Sequence, residues 1–388
     1  MMDKVILCVD DEAIILNSLK EELYKYFSDS MIIETVESGQ EGLETIEFLI
    51  SKGKEIVVII SDYIMPQMRG DVFLIEAHKR LPTAMKILLT GEASIEGITN
   101  IINKTHLYRY ISKPWDKYDL IMTIESAIEM YYSNKQIRHQ SRQIQDSIRY
   151  AERIQTAILP NSDYLNLFIP NHFVFYRPKD IVSGDFYWCR KADDKIIIVV
   201  ADCTGHGVPG AFMSLIGHQL LNRAILEQKI YSPEKILEKM NTVIGEVWNV
   251  KQKSTHDGME VAICVIDKKT NTVCFAGAKR PLCIIQNNEL KYIKGDKSSV
   301  DGKQNATYTK HEFKVQVGTQ IYLYSDGYED QNGGSKNKRF MSQNLKALYQ
   351  NISEKSSEEQ LQELSDMFDN WKKNYDQRDD VLVVGVKI

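Results

Sequence analysis

Lys195–Leu220 reads KIIIVVADCTGHGVPGAFMSLIGHQL. The apolar, β-branched run Ile196–Val200 gives way to Asp202, a glycine-rich turn follows over Thr204–Gly210, and a helical pattern takes over from Ala211. The run is short and branched enough for a buried strand. A charge at the end of such a strand is costly unless something binds it. Glycines let the backbone come close to a ligand. Two readings stand at this point: a carboxylate facing a metal or phosphate, or a strand that ends in a solvated Asp before a turn.

The chain of 388 residues suggests two or three domains on a prior of about 150 residues each. Its 43% hydrophobic content suffices for real cores, and a net charge of -5 without a basic run argues against a nucleic-acid partner. Cys8, Cys189, Cys203, Cys264, Cys274 and Cys283 are scattered singly, with no metal-binding spacing, which fits free thiols in a reducing compartment. No run approaches the roughly 20 apolar residues of a membrane span. The N-terminus leads straight into a strand-like run without a signal peptide's layout. A cytoplasmic protein without a membrane partner is expected.

Over residues 1–119, strand-like runs alternate with helical patterns, which predicts a doubly wound (βα)5 sheet. Ligands of such sheets bind at the carboxyl ends of the strands, and the residues there are Asp10, Asp11, Asp62, Thr90 and Lys113. Carboxylates about 4 Å apart repel by about 4 kcal/mol per pair at an effective dielectric near 20. A hard divalent cation offsets this, and an oxygen-rich site suits Mg²⁺. Lys113 and the Thr90 hydroxyl then suit a phosphoryl group on one carboxylate.

VDDE at Val9–Glu12, SDYIMPQMRG at Ser61–Gly70, LLTGEA at Leu88–Ala93 and YISKPW at Tyr110–Trp115 resemble a response-regulator receiver domain. The resemblance implies that Asp62 is the phosphoacceptor. It implies that Asp10 and Asp11, with Asp62 and the backbone carbonyl of Ile64, hold Mg²⁺. Thr90 and Lys113 would bind the phosphoryl oxygens, and Tyr110 occupies the place of the switch aromatic. An upstream histidine kinase is the implied phosphodonor. Ile64 is apolar and cannot position a hydrolytic water, which predicts a long-lived aspartyl phosphate.

Residues 120–160 contain no Gly and, before Pro160, no Pro, and favour helix throughout. Met130, Ile137, Ile144, Ala151 and Ile158 recur every seventh residue, while the intervening positions Asn134, Ser141, Ile148 and Gln155 are poor. This pattern resembles a coiled coil with a weak seam and predicts a parallel homodimer whose seam can shift. A solvated helix, or a helix pair folding back, is the competing reading.

In residues 161–388, many short apolar runs with helical blocks between them predict an α+β sandwich flanked by helices. Asp185, Asp202, Asp326 and the pair Asp379-Asp380 each adjoin such a run. Converging at one end of the sandwich, four acids can ligate two hard divalent metals for in-line phosphoryl transfer. No His or Cys set accompanies them, which favours Mn²⁺ or Mg²⁺ over zinc.

RPKDIVSGDFYW (Arg177–Trp188), VADCTGHGVPGAFMS (Val200–Ser214), AGAKRPL (Ala276–Leu282), YLYSDGYEDQ (Tyr322–Gln331) and RDDVLVVGV (Arg378–Val386) resemble the SpoIIE-like branch of the PPM-type serine/threonine phosphatases. The helix SIRYAERIQTAILP (Ser147–Pro160) resembles the one that leads into this family. The resemblance implies that Asp202 bridges two metals. Asp185 and the backbone carbonyl of Cys203 would share the outer ion, and Asp326 and Asp379 would hold the other, with Asp380 the alternative to Asp379. His206 is either a general acid to the leaving oxygen or structural. Arg177 and Lys179 are either phosphate contacts or a solvated pair, and Asp257 is a further candidate for the metal shell. Leu382 stands where the family usually has Thr, and Trp188 where it often has an acid. The expected function is a response regulator whose output is a metal-dependent phosphoprotein phosphatase, acting on a phosphorylated anti-sigma-factor antagonist. A phosphorylation-gated binding protein without turnover is the alternative.

Overall fold

The computed structural model describes residues 3–91, 107–247 and 257–388. Glu92 and Ala93 of the LLTGEA motif lie outside these. The chain divides into two compact units, Met1–Gln143 and Ile144–Ile388. Among the described residues no helix is long and apolar enough to cross a membrane.

The first unit runs β1 (Lys4–Val9), α1 (Ala13–Phe27), β2 (Ile32–Val36), α2 (Gly39–Ser51), β3 (Glu55–Asp62), α3 (Gly70–Arg80), β4 (Met85–Thr90) and β5 (Arg109–Ser112). The strands pair in parallel in the order β2-β1-β3-β4-β5. Helices cover both faces of a parallel sheet, so its strands read as continuous apolar runs. Leu19 and Leu23 of α1 pack one face together with Leu120 and Ile124, and Leu43, Ile46, Phe73 and Leu74 of α2 and α3 pack the other. This is the doubly wound sheet expected, with Asp62 and Thr90 as the last residues of β3 and β4.

Helix α4 (Lys117–Ile158) is continuous over 42 residues, as a stretch free of Gly and Pro permits. Its first turns bury Leu120, Ile121, Ile124 and Ala127 in the first unit. Met130, Ile137 and Ile144 are 46%, 59% and 60% exposed on the single chain. Gln155, expected as a poor seam position, is instead buried in the second unit.

The second unit stacks two five-stranded sheets, ordered β13-β10-β9-β8-β7 and β12-β11-β14-β17-β6. The first holds β7 (Phe186–Ala192), β8 (Lys195–Cys203), β9 (Met259–Asp267), β10 (Thr272–Ala278) and β13 (His311–Lys314). The second holds β6 (His172–Arg177), β11 (Leu282–Gln286), β12 (Glu289–Ile293), β14 (Gln320–Tyr324) and β17 (Val381–Lys387). A shared core that includes Ile198, Val200, Cys264, Phe275, Ile321, Leu323 and Val384 lies between the sheets. Helices α6 (Gly207–Leu221), which continues as a π-helical turn over Asn222–Glu227, and α7 (Pro233–Val247) cover the first sheet. Helices α9 (Ser342–Ile352) and α10 (Ser357–Lys372) cover the second, and the short elements α5 (Ser162–Asn166), α8 (Gly327–Asp330), β15 (Asn332–Gly333) and β16 (Lys338–Arg339) complete the unit. Ser356 caps α10 in a capping box with Glu359. The predicted sandwich flanked by helices is therefore observed. Strands β12 and β13 have no apolar run to announce them, each being an edge strand partly open to solvent.

Candidate functional site

In the first unit, strand order brings the carboxyl ends of β1, β3 and β5 together. Lys113, just past β5, reaches Asp10 Oδ2 at 2.6 Å and Asp62 Oδ1 at 2.5 Å. Asp62 Oδ2 accepts the Ile64 N–H at 2.8 Å, and Asp10 Oδ1 accepts the Glu12 N–H at 3.0 Å. Burial pushes the Asp10 carboxyl above its usual range, against the pull of Lys113. Burial also opposes the Lys113 ammonium, but its two carboxylate partners hold its pKa above the ordinary lysine value. Thr90 Oγ1 is buried and has no hydrogen-bond partner among the described residues. Asp11 is exposed, Ile64 is 64% exposed, and Tyr110 is half exposed.

In the second unit, antiparallel pairing decides which acids meet. Asp202 is the penultimate residue of β8, and Asp185 directly precedes β7, its antiparallel neighbour. Asp326 follows β14, and Asp379-Asp380 precede β17, again an antiparallel pair. All of them therefore fall at one end of the sandwich. Glu260 of β9 lies opposite Asp202 in the ladder. Carboxylate oxygens of Asp202, Glu260 and Asp326 come within 4.8 Å of one another.

Asp185 is 2% exposed and its Oδ2 has no hydrogen-bond partner among the described residues. Burial, then the charge of Asp202, pushes its carboxyl well above the usual range, partly offset by a hydrogen bond with Ser325. Burial and then Asp326 raise the carboxyl of Asp202, against the pull of Arg280. Asp379 is raised by burial and by Asp326, while its bond from the Asp380 N–H works the other way. Asp380 is committed elsewhere, since its two oxygens accept the backbone N–H groups of Lys179 and Gly184, each at 2.7 Å. A buried carboxylate with a free oxygen, beside further acids and with no His or Cys in the set, is a donor set that fits hard divalent cations.

The glycines pack backbone against backbone. A Cβ on Gly184 would lie 2.5 Å from the Gly205 carbonyl oxygen and 3.2 Å from that of Cys203. One on Gly210 would lie 2.3 Å from the Gly205 oxygen and 2.8 Å from the Gly184 Cα. Gly205 itself has φ +87, open to glycine at little cost. The loop carrying Asp185 is thereby pressed onto the turn after Asp202.

Other expected residues stand apart. His206 Nδ1 pairs with Asp180 Oδ2 at 2.6 Å, both side chains being about half exposed. The guanidinium of Arg177 is turned to Asp369 and Ser365, with Nη2 at 2.8 Å and 2.9 Å from them. Lys179 contributes its backbone N–H to Asp380. Asp257 is partly exposed and outside the carboxylate set, whereas Glu260, three residues on, lies beside Asp202 and Asp326.

Two residues of this site escape the sequence reading, Glu260 and Arg280. Arg280 Nη1 lies 3.1 Å from Asp326 Oδ2 and 3.5 Å from Asp202 Oδ2, and Nη2 pairs with Glu260 Oε2. Arg280 lies within the AGAKRPL motif, where a cation at an acid-lined strand end is the signal available.

The loop bearing Asp185 is also tied to α4. Gln155 Nε2 donates to the Ser183 carbonyl at 2.6 Å and to Ser214 Oγ of α6 at 2.9 Å, and its Oε1 accepts the Ser183 N–H at 3.0 Å.

The family model described as stage II sporulation protein E (SpoIIE) matches residues 192–388, and the one for the response regulator receiver domain matches residues 6–125. The phosphoserine phosphatase RsbU of Bacillus subtilis is 26% identical over 242 residues, which are 60% of this chain and 69% of RsbU. The hydrogenase transcriptional regulatory protein HoxA of Cupriavidus necator is 33% identical over 131 residues, 33% of this chain but only 25% of HoxA. The chain thus matches a quarter of that relative's length. Among solved structures, the SiaA-PP2C domain of Pseudomonas aeruginosa aligns with a TM-score of 0.59 at 28% identity, covering 64% of this chain and 98% of that one.

Proposed function

The chain belongs to the SpoIIE family, with a response regulator receiver domain ahead of the family domain, and we propose that it is a metal-dependent phosphoprotein phosphatase controlled through that receiver. The observation that carries the reading is the convergence of Asp185, Asp202, Asp326 and Asp379 on one sandwich end, with Asp185 Oδ2 buried and unpartnered among the described residues.

In this reading Asp202 would contribute to both positions of a pair of Mn²⁺ or Mg²⁺ ions. Asp185 and the carbonyl of Cys203 would complete one position, and Asp326 and Asp379 the other. When bound, such a pair supplies Lewis acidity for in-line transfer of a phosphoryl group to water. Asp380 holds the backbone at Lys179 and Gly184, which fixes the loop on which Asp185 sits. The substrate is a phosphoserine or phosphothreonine of a protein, and an anti-sigma-factor antagonist is the class expected from the family resemblance.

Asp62 is the phosphoacceptor, with a histidine kinase as donor. Asp10, Asp11, Asp62 and the Ile64 carbonyl would hold Mg²⁺ there, while Lys113 and the Thr90 hydroxyl, unpartnered among the described residues, would receive phosphoryl oxygens. Tyr110, half exposed, is the residue that responds. The domains are taken as 1–119 for the receiver, 120–160 for a helical linker and 161–388 for the phosphatase. The exposed, heptad-spaced Met130, Ile137 and Ile144 support a homodimer through α4, in the cytoplasm. Gln155 supplies a route from that helix to the loop of Asp185.

The test is phosphate release from a phosphorylated anti-sigma-factor antagonist with Mn²⁺, with and without beryllofluoride. Turnover that depends on Mn²⁺ and changes with beryllofluoride is expected. A chain that binds Mn²⁺ and its partner but releases no phosphate would instead be a gated binding protein.

A further inference from the structure

We propose that Arg280 is the residue that receives the substrate's phosphoryl oxygens. The proposal rests on the phosphatase reading and gives that site its anion-binding group. Arg177, the arginine that the sequence suggests for this task, is occupied by Asp369 and Ser365. Arg280 is the arginine placed among the acids.

Arg280 follows β10, whose end lies beside the start of β9 in the antiparallel ladder. Its side chain is 12% exposed and spans Glu260, Asp202 and Asp326, residues of three separate segments. Its Nε–H is buried without a hydrogen-bond partner among the described residues. An unmade hydrogen bond from a buried charged group is expensive, so this donor calls for an acceptor.

The three ion pairs differ in kind. Glu260 is clamped by cations on both oxygens, since Lys279 Nζ reaches its Oε1 at 2.8 Å and Arg280 holds its Oε2. Asp202 and Asp326 are ligands in the proposed metal site. Once cations satisfy those two carboxylates, Arg280 keeps Glu260 as its tether through Nη2. Nη1 and Nε are then free, on the side where the acids meet. A guanidinium held on one edge offers its remaining N–H donors in fixed geometry, which suits paired phosphoryl oxygens better than an ammonium does. Glu260 is then a positioning residue, outside the metal shell.

The experiment uses the full chain loaded with Mn²⁺. Inorganic phosphate is titrated by calorimetry, Mn²⁺ affinity is read separately by electron paramagnetic resonance, and KM and kcat are measured with p-nitrophenyl phosphate. Loss of hydrogen bonds to a charged group predicts that Arg280→Ala weakens phosphate binding and raises KM by about tenfold to hundredfold. Mn²⁺ is expected to bind the variant as tightly as wild type or more tightly, because a competing cation is gone. Arg280→Lys, which keeps the charge and loses the fork, is expected to fall between the two. Phosphate affinity unchanged in an Arg280→Ala chain that still binds Mn²⁺ would overturn the proposal. If Arg280→Ala does not fold, Arg280→Lys decides, and wild-type phosphate affinity in it overturns the fork argument. A wild-type chain that binds phosphate through Arg280 yet hydrolyses nothing would refute the phosphatase reading and leave the assignment of Arg280 standing.

Discussion

Gln155 and Ser183 bond reciprocally, the amide nitrogen of one to the carbonyl of the other at 2.6 Å and the amide oxygen to the N–H at 3.0 Å. Ser183 lies two residues before Asp185, and its hydroxyl accepts the Asp185 N–H at 3.0 Å. A side chain of α4 is therefore two hydrogen bonds from the backbone of Asp185, a residue of the candidate metal site. Gln155→Ala would leave buried backbone groups unpaired, each costing about 1–3 kcal/mol. Phosphate release is expected to fall about tenfold or more, with weaker Mn²⁺ binding and a retained fold. Wild-type turnover and Mn²⁺ affinity in Gln155→Ala would refute a positioning role.

Asp202→Ala removes the carboxylate expected to bridge both ions. Losing several kcal/mol of transition-state stabilisation corresponds to a rate loss of about a thousandfold or more. Mn²⁺-dependent release of phosphate at the wild-type rate would remove Asp202 from the mechanism.

Chelation and pH are expected to act together on stability. The carboxyls of Asp185 and Asp202 are raised in the folded chain, chiefly by burial. A raised carboxyl contributes stability that is fully present below the ordinary carboxylate range and is lost as the pH rises through the folded value. The chelated chain should therefore lose melting temperature as the pH rises, while Mn²⁺, which takes the ionised form, should protect it. The difference in Tm between Mn²⁺ and chelator should widen with pH. A difference that is constant or shrinks would count against this account.

Beryllofluoride at Asp62 is expected to change phosphate release by the second unit, and Asp62→Asn should abolish the response without removing basal turnover. Lys113→Ala should blunt it as well, because Lys113 pairs with both Asp10 and Asp62. Identical rates with and without beryllofluoride would disconnect the two units.

Arg177→Ala breaks a bidentate pair with Asp369 and the stacking of the guanidinium on Phe175 and Phe368. Both partners are partly solvated, so about 1–2 kcal/mol of stability is expected to be lost. Denaturant unfolding reads that loss. Phosphate affinity should change less than in Arg280→Ala, and the reverse order would return Arg177 to the site.

The acids were legible because each ends or precedes an apolar run, and such runs are where buried strands meet solvent. Edge strands β12 and β13 were not, since neither buries a residue fully. Glu260 was hidden for a different reason. It sits second in β9, and only the pairing of β8 with β9 places it opposite Asp202. Arg280 was in plain view in AGAKRPL, but a cation is read as a ligand for acids only after the acids are known to be there. Gln155 looked like a defect in a heptad seam, because periodicity alone cannot tell a helix face that meets a partner from one that meets its own domain.

The continuity of α4 has a mechanical corollary. Sliding a helix by one residue moves every side chain about 1.5 Å along its axis. With about 3.6 residues per turn the same one-residue step turns each side chain by about 100°, which would carry Gln155 away from Ser183 and Ser214, with which it bonds at 2.6 to 3.0 Å. Control exerted through this residue would behave as a latch with two positions, closed or released, rather than as a dial.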